Sequence, residues 1–250
     1  MVGFRPGYLE VMPGRLALVG SGEYLPVMQG VEDWLIGDGP RVYVQLATAA
    51  APEGQGSLDH WHSLGRAAAE RLGAQQVVVD VRNRHDADDP EWASRIAGAG
   101  LIYLSGGNPT YLAETLRGTA VWAAIEAAWR AGSALAGCSA GAMALGGYVP
   151  NFRHPRSGGT AGLGIVTQAR VLPHFDRYTR WTPDMALRPL VTEGAVVLGI
   201  DEDTAMVAED PGSGSLEWSW SVRGRQAAYV VTREGRHRIE GPLALEVRSS

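Results

Sequence analysis

Residues 134–145 read Ala-Leu-Ala-Gly-Cys-Ser-Ala-Gly-Ala-Met-Ala-Leu: small apolar residues, a turn centred on Ser139, then a run with helical preference. Within it, Gly137-Cys138-Ser139-Ala140-Gly141 is a G-x-S-x-G sequence between a predicted strand and a predicted helix. Such a turn holds its central residue in a strained backbone conformation, and small residues two positions to either side prevent clashes. A helix starting at Ala140 turns its free N–H groups and the positive end of its dipole toward the serine. The plain alternative is a glycine-rich turn with a hydrogen-bonded serine. The glycine spacing centres the motif on Ser139, so Cys138 is expected to point the other way, into sheet–helix packing, as a small apolar group.

Outward from this turn, short apolar runs alternate with helix-period segments, the pattern of an α/β fold with a mostly parallel sheet. Strands are expected at 16–19, 41–46, 76–80, 101–104, 134–137, 169–172 and 195–200. Helices are expected at 26–36, 57–72 (with Ser57 as N-cap), around 109–117, 120–131 and 184–192, with a short one opening in the DADDPEW stretch. Residues 151–163 are rich in glycine and arginine and read as a loop near an opening. Two alternating runs, 216–222 and 226–231, flank Arg223-Gly224-Arg225 and predict a β-hairpin. With no repeat, low-complexity tract or linker, the expectation is one domain over 1–250. It has a three-layer α/β/α core at about 15–210 and a β-hairpin region at about 211–250.

Composition removes several enzyme classes. The chain has 250 residues, 45% of them hydrophobic and 20% charged, as an ordinary globular protein has. All 22 basic residues are arginine. Without lysine there is no P-loop lysine, no Schiff-base lysine and no serine–lysine dyad. Cys138 is the one cysteine, so neither an internal disulfide nor a multi-cysteine zinc site is available. A net charge of −5 without an arginine block argues against a nucleic-acid groove. The start lacks the charged-then-apolar pattern of a signal peptide, and no apolar run approaches a membrane span. The expectation is a soluble cytoplasmic protein.

Ser105-Gly106-Gly107-Asn108 follows another predicted strand, and adjacent glycines let backbone N–H groups approach a developing oxyanion. With the N–H of Ala140 these would form an oxyanion hole; the alternative is an ordinary strand-to-helix loop. Among six histidines, His60 and His62 are two apart on a predicted helix and face different ways. His85 and His237 lie in charged stretches, and His154, in the Gly/Arg loop, is a candidate substrate contact. His174 ends a strand pattern, where α/β active sites gather, and is the candidate base. Asp201-Glu202-Asp203 follows a further strand; any one of the three could orient the imidazole, or all could form a solvated turn. The order Ser…His…acid differs from the Ser…acid…His order of α/β-hydrolases and disfavours that fold. Trp218 and Trp220 on a strand read as core packing, the alternative being an interface in a homodimer.

Taken in order, SGGNPTYL, AGCSAGAMAL, the histidine of LPHF and GIDEDTAMV resemble the peptidase E and cyanophycinase family of serine peptidases. The resemblance covers most of 16–208. It implies a flavodoxin-like, class I glutamine amidotransferase-like core and peptide hydrolysis without a metal or an organic cofactor. Residue by residue it implies Ser139 as nucleophile, His174 as base, Glu202 as acid, Gly107 and Ala140 as oxyanion donors, and Asn108 at the substrate. Cyanophycinase-like sequences usually have Asn-Gln after the glycine pair, where this chain has Asn108-Pro109. Their arginine run after His-Phe is present only as Arg177 and Arg180. Arg177 is a candidate grip on a substrate carboxylate through paired N–H donors. The expected activity is hydrolysis of small peptides by an exopeptidase or dipeptidase. An amidase or glutaminase, or a non-catalytic binding protein on the same core, are the alternatives.

Overall fold

The computed structural model describes residues 12–151, 158–179, 184–210 and 215–248. In chain order the first half runs β1 (Leu16–Val19), a 3-10 turn, α1 (Gln29–Ile36), β2 (Val42–Leu46), a 3-10 turn (Thr48–Glu53), α2 (Gln55–Arg71) and β3 (Gln75–Val78). It continues with α3 (Arg84–Ala87), α4 (Pro90–Ser94), β4 (Leu101–Leu104), α5 (Pro109–Leu116), α6 (Ala120–Arg130), β5 (Ala134–Cys138) and α7 (Ala140–Leu145). The second half has β6 (Tyr148–Val149), β7 (Thr160–Ala161), β8 (Ala169–Leu172), α8 (Phe175–Thr179) and a 3-10 segment (Asp184–Leu190). It ends with β9 (Val196–Ile200), β10 (Thr204–Ala208), β11 (Glu217–Gly224), β12 (Ala228–Val231), β13 (Arg236–Arg238) and β14 (Leu243–Glu246).

The main sheet has eight strands in the order β14-β11-β10-β1-β5-β4-β2-β3. The five from β1 to β3 are parallel, and β10, β11 and β14 extend the β1 side antiparallel. Its two faces are covered separately. Leu16, Leu18, Val44, Leu46, Ile102, Leu104 and Leu135 pack with α5, α6 and α7, while Ala17, Val19, Tyr43, Leu101, Tyr103 and Ala136 pack with α1 and α2. Strands buried on both faces read as continuous apolar runs, which is why the sequence locates them. On α6, Val121, Trp122, Ile125 and Trp129 form the buried stripe, and each contributes about 1.5–3 kcal/mol of burial free energy. The α/β/α sandwich with a mostly parallel sheet is as expected.

A second sheet, β13-β12-β9-β8, stands beside it. Here the expected hairpin is corrected. The runs at 216–222 and 226–231 are both strands, but they do not pair with each other. β11 joins β10 and β14 in the main sheet, and β12 joins β9 and β13 in the second. Val197 faces Val231, Ile200 faces Ala228, Thr204 faces Gly224 and Ala208 faces Trp220, one unbroken antiparallel register. Thus β9–β10 and β11–β12 are the two halves of a single ribbon, bent at 201–203 opposite 225–227 as it passes between sheets. Alternation along a strand reports a half-buried face and not the partner strand, so the sequence pattern led to the nearest neighbour. The hairpin in this region is β12–β13. Trp218 and Trp220 are buried, in line with core packing.

Smaller differences are local. Helix α2 starts two residues before Ser57, whose hydroxyl donates to Glu53 Oε2 at 2.7 Å instead of capping. The expected helix at 184–192 is a 3-10 segment with Pro189 inside it. Among the described residues no helix is long and apolar enough to cross a membrane.

Candidate active site

In the main sheet β5 lies between β1 and β4, with Val19 opposite Cys138 and Leu104 opposite Gly137. Three strand ends therefore come together: 20–24 after β1, 105–108 after β4 and Ser139 after β5. Ser139 has φ +50° and ψ −107°, a region that costs a residue with a Cβ about 1–3 kcal/mol. The surrounding glycines are required by close approach. A Cβ at 137 would sit 2.4 Å from the Gly141 carbonyl carbon, and one at 141 would sit 2.2 Å from Leu104 O. The Ser139 N–H donates to Val19 O at 2.9 Å and fixes the turn to β1.

The second sheet supplies the partners. β8 and β9 are parallel, with Leu172 opposite Gly199, so His174 and Glu202 emerge from neighbouring strand ends. The His174 N–H donates to Gly20 O at 3.3 Å, tying this edge to the end of β1. Ser139 Oγ lies 3.1 Å from His174 Nε2, and His174 Nδ1 lies 2.8 Å from Glu202 Oε1. With a carboxylate on Nδ1, that nitrogen carries the proton and Nε2 is left to accept from the serine hydroxyl. Of the three successive carboxylates, Glu202 is the one that faces the imidazole. Asp203 pairs with Arg225 at 2.5 Å, and Asp201 accepts from the Ala227 N–H at 3.3 Å. Burial pushes the Asp201 carboxyl above its ordinary range.

Ser139, His174, Gly107 and Ala140 line one pocket of about 610 Å³, walled by Met143, Leu172, Phe175 and Leu187, with Glu53 and Asn151 also on its lining. Ala140 is the first residue of α7, where a helical N–H has no intrahelical acceptor. Gly107 has φ +132°, and a Cβ there would sit 2.4 Å from Ala49 O, so only glycine lets this loop lie against the 3-10 turn.

Asn108 and Arg177 each have a partner within the protein. Asn108 lines the pocket, but its Oδ1 accepts the Tyr111 N–H at 3.0 Å and caps α5. Arg177, expected at a substrate carboxylate, has its Nε 2.9 Å from Glu202 Oε2. His154 and Arg180 lie outside the described residues. Cys138 is fully buried and its thiol donates to Glu23 Oε2 at 2.9 Å, pointing away from the pocket as the motif's register predicts. Burial first, then the neighbouring Glu23, pushes this thiol well above its ordinary pKa, so it stays protonated. Glu23 itself escaped the sequence reading. The available signal was a carboxylate in the glycine-rich turn ending the first parallel strand. Among the described residues no group of three or more His, Cys, Asp and Glu side chains is placed to hold a metal ion.

Residues 47–213 match peptidase family S51. The crystal structure of a peptidase from an acI-B1 Actinobacterium is 39% identical, covers 95% of this chain and 98% of its own, and superposes with a TM-score of 0.82. A putative peptidase E protein from Listeria monocytogenes shares the fold at 16% identity and a TM-score of 0.58, covering 86% of this chain and all of its own. A cyanophycinase of Trichormus variabilis is 30% identical over 157 residues, 57% of this chain and 51% of the relative. The chain thus spans about half the length of that curated relative.

Proposed function

The chain belongs to peptidase family S51, and from that premise we propose that it is a serine peptidase that hydrolyses small peptides through an acyl-enzyme. One observation carries the reading: the continuous line Ser139 Oγ, His174 Nε2, His174 Nδ1, Glu202 Oε1, at 3.1 and 2.8 Å, with Ser139 and His174 on the lining of a pocket. The pocket volume of about 610 Å³ falls in the range that encloses a small ligand.

The chemistry follows from the roles that this geometry allows. Ser139 Oγ attacks the peptide carbonyl carbon while His174 Nε2 takes its proton. Glu202 holds the Nδ1–H tautomer and stabilises the imidazolium that forms. The N–H groups of Gly107 and Ala140 receive the negative oxygen of the tetrahedral intermediate. His174 then protonates the leaving amine, and a water, deprotonated by the same nitrogen, releases the acyl group from Ser139.

The test is to incubate the protein and its Ser139→Ala variant with a panel of short peptides and follow the products by mass spectrometry. The panel contains N-terminal aspartyl dipeptides, β-aspartyl–arginine, and N-blocked peptides with free carboxyl ends. Cleavage that disappears in the variant supports the reading, and the products identify which chain end is recognised. Cleavage that survives in Ser139→Ala, or release of ammonia from a glutamine-type amide without peptide cleavage, overturns it.

A further inference from the structure

The turn after β1 carries a buried carboxylate that the reaction as described does not use. Glu23 is 7% exposed. Its Oε1 accepts the Gly106 N–H at 3.0 Å, and its Oε2 accepts the Cys138 thiol at 2.9 Å. Those donors belong to different strand ends. Gly106 precedes Gly107 after β4, and Cys138 precedes Ser139 in the elbow after β5. One planar carboxylate therefore links the two segments that carry the proposed oxyanion donors, Gly107 and Ala140. Glu23 lies outside the residues that match the family.

The surroundings show how closely this link is set. A Cβ at Gly106 would sit 2.6 Å from Glu23 Oε1 and 3.5 Å from Ser139 Cβ, so the Gly106 peptide is held in a slot between the carboxylate and the nucleophile. The next residue, Tyr24, has φ +66°, and its hydroxyl lies 2.6 Å from Ser105 Oγ, a second tie from the same turn to the same loop. A carboxylate reaches both donors from this position, one oxygen to each.

We propose that Glu23 is a positioning residue that holds the 105–108 loop and the Ser139 elbow in register, so that the Gly107 and Ala140 N–H groups converge on one oxyanion. The inference rests on the serine-hydrolase reading of the site. Its effect belongs to the transition state: a loosened loop misplaces the Gly107 N–H, while Asn108 stays tied to α5 through its Oδ1 and the Tyr111 N–H.

The experiment measures the rate at which a fluorophosphonate phosphonylates Ser139, together with kcat per labelled site and KM on a cleaved peptide. It is run below the melting temperature of each variant. Glu23→Ala is expected to lower both rates roughly 10–100-fold at near-constant KM, the scale of a misplaced oxyanion donor. Glu23→Gln keeps the length, an acceptor for Gly106 and an N–H that can donate to the Cys138 sulfur, so both segments stay tied and most of the rate should be retained. Glu23→Asp keeps the charge but loses the reach and should fall nearly as far as alanine; it carries the test if Glu23→Ala does not fold. Wild-type rates per site in Glu23→Asp, a rise in KM in place of a fall in kcat, or Asp outperforming Gln would each overturn the proposal. Labelling that persists in Ser139→Ala would instead defeat the serine reading underneath it.

Discussion

Four non-glycine residues among those described have positive φ: Tyr24, Ser139, His174 and Asp203. Ser139 and His174 line the pocket, Tyr24 follows Glu23 in the turn after β1, and Asp203 follows Glu202 at the ribbon corner, so this backbone strain is gathered in the segments that build the site. Ser139→Ala should leave the fold intact and lower turnover by about 10⁴-fold or more, because the remaining groups cannot replace the nucleophile. Glu202→Gln keeps the shape but donates toward Nδ1 and favours the wrong imidazole tautomer, for a loss of about 10³–10⁴-fold in kcat. Arg177→Ala removes only the outer partner of Glu202. The Arg177 side chain is 71% exposed, so its expected effect is less than about tenfold, as for exposed ion pairs. Steady-state kinetics on one cleaved peptide ranks the three. An Arg177 loss as large as that of Glu202 would mean that Arg177 touches substrate after all.

At the scale of elements, the acid is delivered by a bend in a ribbon. Thr204 is fully buried at this bend; its hydroxyl donates to Glu202 O at 3.1 Å and accepts the Gln226 N–H at 2.9 Å. Gln226 Nε2 adds a bond to the same Glu202 carbonyl at 2.9 Å. Thr204→Val keeps the volume and strands the Gln226 N–H, which should cost about 1–3 kcal/mol of stability. It should also lower kcat more than KM as Glu202 shifts; thermal melts with kinetics check both. Helices and parallel strands were legible in the sequence because their burial is periodic or continuous along the chain. Ser139 and His174 stood out as candidates because each stands at a strand end in a short motif, whereas among 201–203 only the family resemblance singled out Glu202. The ribbon was not, because pairing between β10 and β11 or between β9 and β12 is decided by which sheet each half completes. Glu23 was not, because its partners are a backbone N–H and a thiol more than 80 positions away.

At the scale of the whole molecule, the face of the sheet opposite the elbow helix carries a buried acid. Glu32 on α1 is 1% exposed and accepts the Tyr43 hydroxyl at 2.9 Å. Burial raises its pKa from 4.5 to about 7, against the opposing hydrogen bond from Tyr43 and the charge of Arg71. An acid with a raised folded pKa binds more protons folded than unfolded. The contribution of Glu32 to stability is therefore fully present below pH 4.5, is lost as pH rises from 4.5 through about 7, and changes no further above that. The total loss is about 3 kcal/mol from the size of the shift. Glu32→Gln keeps an acceptor for Tyr43 and should flatten this decline, its melting temperature gaining on the parent between pH 5 and 8; parallel curves would refute it. The central claim concerns the opposite end of the sheet, where two sheets bring Ser139, His174 and Glu202 into one line. The most direct test is the intact mass of enzyme quenched during turnover of a slowly hydrolysed peptide ester, followed by peptide mapping. An acyl group on Ser139, absent from the Ser139→Ala variant, is the expected result. Turnover without an adduct at Ser139, or with the acyl group on another residue, would contradict the account.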